Sequence, residues 1–426
     1  MDPLRVDEGE AMKRLWLVSS IVCASVCWAT SAHADAVTYW NAVTVEAVTA
    51  GRPGGAGFLD MALIHAAMHD AIQAIQQRFE PYAAKLNGSG SLEAAAGAAA
   101  YGVLVGIYPK QQGVLEAKYK EFLANGGLAG NPGLAVGQQA AAALLKHHRP
   151  STALPDYKGG STPGTWRPTP SFIGSPPQPA AFAPMAYLYL METKPYTLER
   201  PSQFRPEEPP ALTSAAYLRD YNEVKALGAR GSTTRTPAQT DLAYFWAGDY
   251  VSQWNGALRS IVEARKINLG ESARLFALAN LAAADAAIAC WDSKRHFSFW
   301  RPVTAIREAE SDGNAETIAD AAWEPLINTP NYPDYTSGAN NVTAAMTTIL
   351  ERFFGTDEFT FTVTTDVPLA KQKARTYKRF SEAAAEVVEA RILLGIHFRF
   401  ADVVARTQGT QVANWTFSHV LRPVKK

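Results

Sequence analysis

Three short runs in the last third of the 426-residue chain bring together the residue types that hold a tetrahedral oxyanion. The first is Lys294-x6-Arg301-Pro302. The second is Tyr332-Pro333-Asp334-Tyr335-Thr336-Ser337-Gly338-Ala339-Asn340, which leads into an apolar stretch. The third is Arg391-x5-His397, with Gly395 between its ends. Lys294, Arg301 and Arg391 supply three cations, Ser337 a hydroxyl and His397 an imidazole. Such donors hold an anion by charge-assisted hydrogen bonds, and a histidine beside them can attack, or ligate, its central atom. Each run alone is a weak signal, because Lys and Arg seven apart usually make a solvated face and Ser-Gly usually makes a turn. The ordered set of three is a strong one.

Those side chains need rigid elements beneath them. Seven residues are nearly two helical turns, so Lys294 and Arg301 are expected to project from one helix face, with Pro302 stopping the helix. Ser337 and Gly338 fall at a helix start, where free N–H groups and the dipole favour an anion, and Thr336 can serve as the N-cap. Apolar spacing predicts helices over about 38–50, 57–78, 91–107, 112–125 and 133–148, then over about 213–227, 237–265, 270–296, 338–354 and 367–394. Thr236-Pro237-Ala238-Gln239 reads as a capping box with Pro in the first turn. Residues 359–363 form the only predicted strand, without a partner. Residues 150–210 hold 14 of the 26 prolines, interleaved with Trp166, Phe172, Phe182, Tyr187, Tyr189 and Phe204. So aromatic a stretch is expected to wrap the helices as an ordered loop. Residues 35–426 are expected to form a single all-α domain of two packed helical blocks, with 285–410 carrying the site.

Composition narrows the partners. Forty basic residues balance forty acidic ones, which leaves no global field for nucleic acid or an anionic membrane. At 47% hydrophobic and 19% charged, the chain can bury a large core. Met12-Lys13-Arg14, the apolar run from Leu15 to Trp28 and Ala32-His33-Ala34 have the layout of a signal peptide over 1–34, with 1–11 an upstream start and cleavage after Ala34. A secreted or periplasmic protein is expected. Cys23 and Cys27 lie in that segment, and Cys290 alone can make neither an internal disulfide nor a cysteine-based zinc site. No second apolar run of about 20 residues is expected, hence no stable membrane insertion after processing.

The three runs resemble the vanadium-dependent haloperoxidase and type 2 phosphatidic acid phosphatase superfamily, whose motifs read K-x6-R-P, P-S-G-H and S-R-x5-H. Asp35-Ala-Val-Thr-Tyr-Trp-Asn41, Ile64-His-Ala-Ala-Met-His-Asp-Ala71 and Phe299-Trp-Arg-Pro-Val-Thr-Ala-Ile306 resemble its bacterial haloperoxidase-like branch. The resemblance implies a helical bundle of that type. It implies oxyanion contacts at Lys294, Arg301, Ser337, Gly338 and Arg391, and His397 as the vanadium ligand through vanadate. It places Trp291 and Tyr332 on the halide side. It also implies small-molecule substrates: hydrogen peroxide with a halide or sulfide. The alternatives are an acid phosphatase that holds phosphate and acts on a phosphate ester through a phospho-His397 intermediate, or a non-catalytic oxyanion-binding homologue.

The sequence departs from the family pattern at four points, the mildest being Thr336 in place of the proline of P-S-G-H. Ala339 stands where the family has the acid–base histidine, and loss of such a group typically costs about 10²–10⁴ in rate. Asn340 next to it can bond an apical oxygen but cannot give up a proton. Ala401 stands where the family places an Asp that orients the terminal histidine, with Asp402 one step on. Ala390 replaces the serine before Arg391. His296, two residues after Lys294, is a further candidate for the pocket edge. His65 and His69, four apart, read as structural because no third ligand has matching spacing. The aromatics from Tyr244 to Trp254 read as core.

Overall fold

The computed structural model describes residues 35–52, 54–55, 57–148, 151–172 and 185–425. The signal-peptide segment and Phe182 lie outside them. The first helices are α1 (Ala36–Gly51), α2 (Gly57–Gln76), α3 (Leu92–Ile107), α4 (Gln112–Gly126) and α5 (Gly133–His147). They lie close to where the apolar period places them. Asp35 caps α1 through Thr38 N at 2.7 Å, and Ser91 caps α3 through Ala94 N at 3.1 Å. Next come α6 (Ala215–Leu227), α7 (Pro237–Phe245), α8 (Tyr250–Arg265), α9 (Leu269–Phe297) and α10 (Pro302–Arg307). The last helices are α11 (Gly338–Phe354), α12 (Phe380–Leu393) and α13 (Arg399–His419), with β1 (Glu358–Thr364) and β2 (Ala374–Arg379) between α11 and α12. The capping box at Thr236 forms in both directions. The helix expected over 237–265 is instead two, because the chain breaks before Asp249 caps α8.

Two expectations about strands and helices change. β1 is not alone: it pairs antiparallel with β2, Phe361 opposite Tyr377, inside the span read as the start of a long helix. β2 is Ala-Arg-Thr-Tyr-Lys-Arg and buries only Tyr377; Lys378 and Arg379 stay exposed and Arg375 pairs with Glu386, while the backbone satisfies β1. α13 is also new. Its buried face mixes Asp402, Gln408, Gly409 and Thr416 with Ala and Val, which hides the apolar stripe from the sequence.

The 29-residue α9 is the axis of the molecule, packed against α2 on one side and α11 and α13 on the other. Contrary to expectation, it is long and apolar enough to cross a membrane, but those neighbours bury its apolar window completely. The described parts of the Pro-rich loop are pinned to α9 through buried Asp285. Its carboxylate accepts from Tyr196 N at 2.7 Å, Thr197 N at 2.7 Å, Thr197 Oγ1 at 2.6 Å and Leu198 N at 3.1 Å. Arg205 adds a bidentate pair to Asp292, both bonds 2.8 Å. The loop thereby carries Ala186, whose carbonyl accepts from Trp291 Nε1 at 3.1 Å, to the edge of the site.

Candidate active site

The three runs meet where α9, α11, α12 and the start of α13 converge. Lys294 is the last buried residue of α9. Its ammonium donates to the Pro333 carbonyl at 2.5 Å and the Asp334 carbonyl at 3.0 Å, and lies 5.0 Å from the Tyr332 ring centre. Arg301 is not on α9, as its spacing from Lys294 suggested. Ser298 turns the chain into the left-handed region (φ 46°), and Arg301 arrives as the N-cap of α10, with Pro302 opening that helix rather than closing one. Arg301 Nε donates to the Tyr332 carbonyl at 2.7 Å and Nη1 to the Ile396 carbonyl at 2.6 Å. Both cations therefore grip the backbone of the other two runs, which fixes the loop entering α11.

Ser337, not Thr336, is the N-cap of α11, and no side chain satisfies the first N–H groups of that helix. Thr336 is drawn inward instead, donating from Oγ1 to Gln408 at 2.8 Å. Gly338 makes a close approach: a Cβ there would sit 3.3 Å from the Trp291 ring, which would have to shift slightly. Gly395, at φ +79°, separates α12 from α13, and a Cβ there would lie 2.4 Å from the Gly228 carbonyl. That turn brings Arg391 and His397 to the same site. Arg391 is 7% exposed, and Nη1 donates to the Trp246 carbonyl at 3.3 Å.

Asp334 is the site residue that sequence reasoning passed over. Its carboxyl, fully buried, lies 2.8 Å from His397 Nδ1 and 3.5 Å from Arg301 Nη1. It stands beside the His397 ring, where the family motif would place the Asp that Ala401 replaces, and nothing in Tyr332-Pro333-Asp334-Tyr335 alone marks it out. Asp402 reaches not His397 but Asn340, accepting from Nδ2 at 2.8 Å. Burial raises the Asp334 pKa to about 7, against the pull of Arg301 and Lys294, and raises that of Asp402 well above the carboxylate range. Burial lowers Lys294 to about 7. It lowers His397 well below its usual value, aided by the Arg301, Lys294 and Arg391 charges. His397 is thus neutral. Its Nδ1 lies 2.8 Å from Asp334 Oδ1 and its Nε2 lies 3.0 Å from Arg301 Nη1.

His296 does not edge the pocket. Two residues from Lys294 is more than half a turn of α9, and the side chain is exposed. Tyr250, read as core, lines the cavity with Trp291, Tyr332, Gly338, Ala339 and Arg391. His65 lies 2.8 Å from Asn41 Nδ2, and His69 is 3.1 Å from the Glu80 carbonyl, both structural contacts.

The donors fit a tetrahedral oxyanion such as vanadate. Arg301 Nη2 and Arg391 Nε are buried without a hydrogen-bond partner, and the start of α11 has no side-chain cap. Ala339 is the one poor fit, since a methyl group can neither polarise nor protonate an oxygen.

Residues 274–426 match the VCPO second helical-bundle domain. The vanadium chloroperoxidase of Curvularia inaequalis is 25% identical over 336 residues, 59% of this chain and 55% of that protein, so the match spans about half of its length. A bacterial vanadium-dependent iodoperoxidase structure superposes with a TM-score of 0.73 at 23% identity, covering 91% of this chain and 98% of the other. The apo form of a bacterial vanadium-dependent chloroperoxidase gives 0.69 at 18% identity, over 85% and 92%. Residues 274–426 therefore resemble the VCPO second helical-bundle domain, and the described chain has the fold of the vanadium-dependent haloperoxidases.

Proposed function

We propose that this protein is an exported haloperoxidase-like oxidoreductase that holds vanadate in the cage of Lys294, Arg301, Ser337, Gly338 and Arg391, tethered at His397 Nε2. The observation that carries the reading is the pair of buried guanidinium nitrogens without protein partners, set at an uncapped helix start beside a neutral imidazole. Bound vanadate would supply Lewis-acid activation of hydrogen peroxide for transfer of oxygen to a halide or sulfide. The chain's own part is to hold and neutralise the anion, keep His397 unprotonated at Nε2, and exclude bulk water. Ala339 withholds a proton donor. That weighs most against the phosphatase alternative, whose leaving group needs one. Export rests on the signal-like segment ending at Ala34, with a secreted or periplasmic destination.

The test is a vanadate-loaded preparation assayed for peroxide-dependent bromide oxidation and for nitrophenyl phosphate hydrolysis, with melting curves in vanadate and in phosphate. Both anions are expected to raise the melting temperature, and bromide oxidation to exceed hydrolysis. Absence of any shift at saturating anion overturns the reading. A shift with neither activity leaves the non-catalytic oxyanion binder.

A further inference from the structure

A cavity of about 320 Å³ opens directly over the start of α11. Its floor is Gly338, Ala339 and Arg391, and three of its walls are aromatic. The Trp291 and Tyr332 ring centres are 5.0 Å apart, and Tyr187 lies 5.6 Å from Trp291 and 6.4 Å from Tyr332. These rings are held in place. Trp291 is tied to the Ala186 carbonyl, and Tyr187 occupies the left-handed region (φ 60°), a conformation that a bulky residue adopts only where its surroundings enforce it. Arg391, more than nine-tenths buried, lines the same cavity with Nε unpartnered, so the anion-binding end and the aromatic end are continuous. Asp249 is also in the wall, and its Oδ1 is buried without a partner while Oδ2 caps α8. Ala339 is the residue whose small size leaves this floor open.

We propose that this cavity binds an aromatic ring directly against the oxyanion, in the room left by Ala339. The inference rests on the oxyanion reading above and names the substrate class for it. Flat rings pack edge-to-face against Trp and Tyr, and the free Asp249 oxygen accepts from a hydroxyl or amino substituent while repelling a second anionic one. The ring arrives either as part of the oxyanion, in an aryl ester, or as a separate aromatic acceptor beside it.

The test is calorimetric titration of the full-length chain with phosphate, methylphosphonate and phenylphosphonate, and with phenol in the presence and absence of saturating phosphate. Phenylphosphonate is expected to bind about 10- to 100-fold more tightly than methylphosphonate, the gain from burying a phenyl group. Ala339→His and, independently, Trp291→Leu are each expected to remove most of that ratio. Phenol binding that needs phosphate identifies a separate acceptor, and a phenylphosphonate gain without phenol binding identifies an aryl ester. Phosphate binding with equal affinity for the two phosphonates and no phenol binding overturns this proposal and leaves the oxyanion reading standing. No binding of phosphate at all overturns both.

Discussion

Arg391→Met separates the binding role of a cage cation from its structural role. Met keeps the length and removes the charge, and with it the cation–π contact to Tyr250. In the free protein this guanidinium donates to the Trp246 carbonyl at 3.3 Å, lies over the Tyr250 ring and leaves Nε buried without a partner. Losing the bond and losing the orphan nitrogen nearly offset each other, so stability without anion should change by less than about 1 kcal/mol. With anion the balance differs. A charge-assisted contact is lost, about 1.5–3 kcal/mol, which weakens phosphate roughly 10- to 150-fold. In a chain of this size, phosphate at about 100 times its Kd adds ~2.7 kcal/mol, or roughly 3–5 °C. The variant at the same phosphate should retain about 1 °C of that. Lys294→Met is the control. Its ammonium satisfies two carbonyls, at 2.5 and 3.0 Å, so the anion-free protein itself should lose about 2–4 kcal/mol. Melting curves and titration calorimetry of both variants decide the matter. Phosphate affinity unchanged in Arg391→Met refutes the cage.

His397→Ala should retain phosphate binding, because the cations remain, and lose vanadate-dependent turnover; undiminished turnover means His397 is not the tether. Ala339→His should raise bromide oxidation by roughly 10²–10⁴, even as it closes the cavity to aromatic ligands, and a fall in both rate and melting temperature would show that the floor has no room for the ring. Anion affinity should weaken as pH rises through about 7, because Lys294 loses its proton and Asp334 gains a charge over the same window and both changes oppose the anion. Phosphate dissociation constants from pH 6 to 9 test this, and a flat profile contradicts a buried, titrating Lys294.

The parts of the molecule legible in the sequence are those where one local signal dominates. α1 to α5 follow the apolar period, and α7 starts at its capping box. The Lys294, Arg301, Arg391 and His397 spacings mark residues that the fold brings together although Lys294 and Arg301 do not share a helix. Both reach the same stretch of backbone, 332–334, from different elements. Illegible parts are those decided by tertiary contacts. β2 is a strand because β1 needs a partner. α13 buries amide and hydroxyl groups that find partners on α9 and the loop before α11, such as Gln408 with Ser293 and Thr336. Asp334 is a site residue only because the chain folds it against His397. Nothing in Tyr-Pro-Asp-Tyr alone distinguishes it from a turn aspartate.

The two buried carboxyls bear on the order of assembly. Three cations closed into a protein interior with nothing to balance them would hold the chain open until an anion arrived, making the oxyanion a folding template. Here Asp334 sits against Arg301 and His397, Asp402 is raised further by Asp334, and either carboxyl can take or release a proton as the local charge requires. The interior therefore carries its own adjustable counterweight. If the site holds an oxyanion as proposed, the polypeptide is expected to reach its native state empty and take the anion afterwards, in a second step governed by the supply of oxyanion rather than by synthesis of the chain.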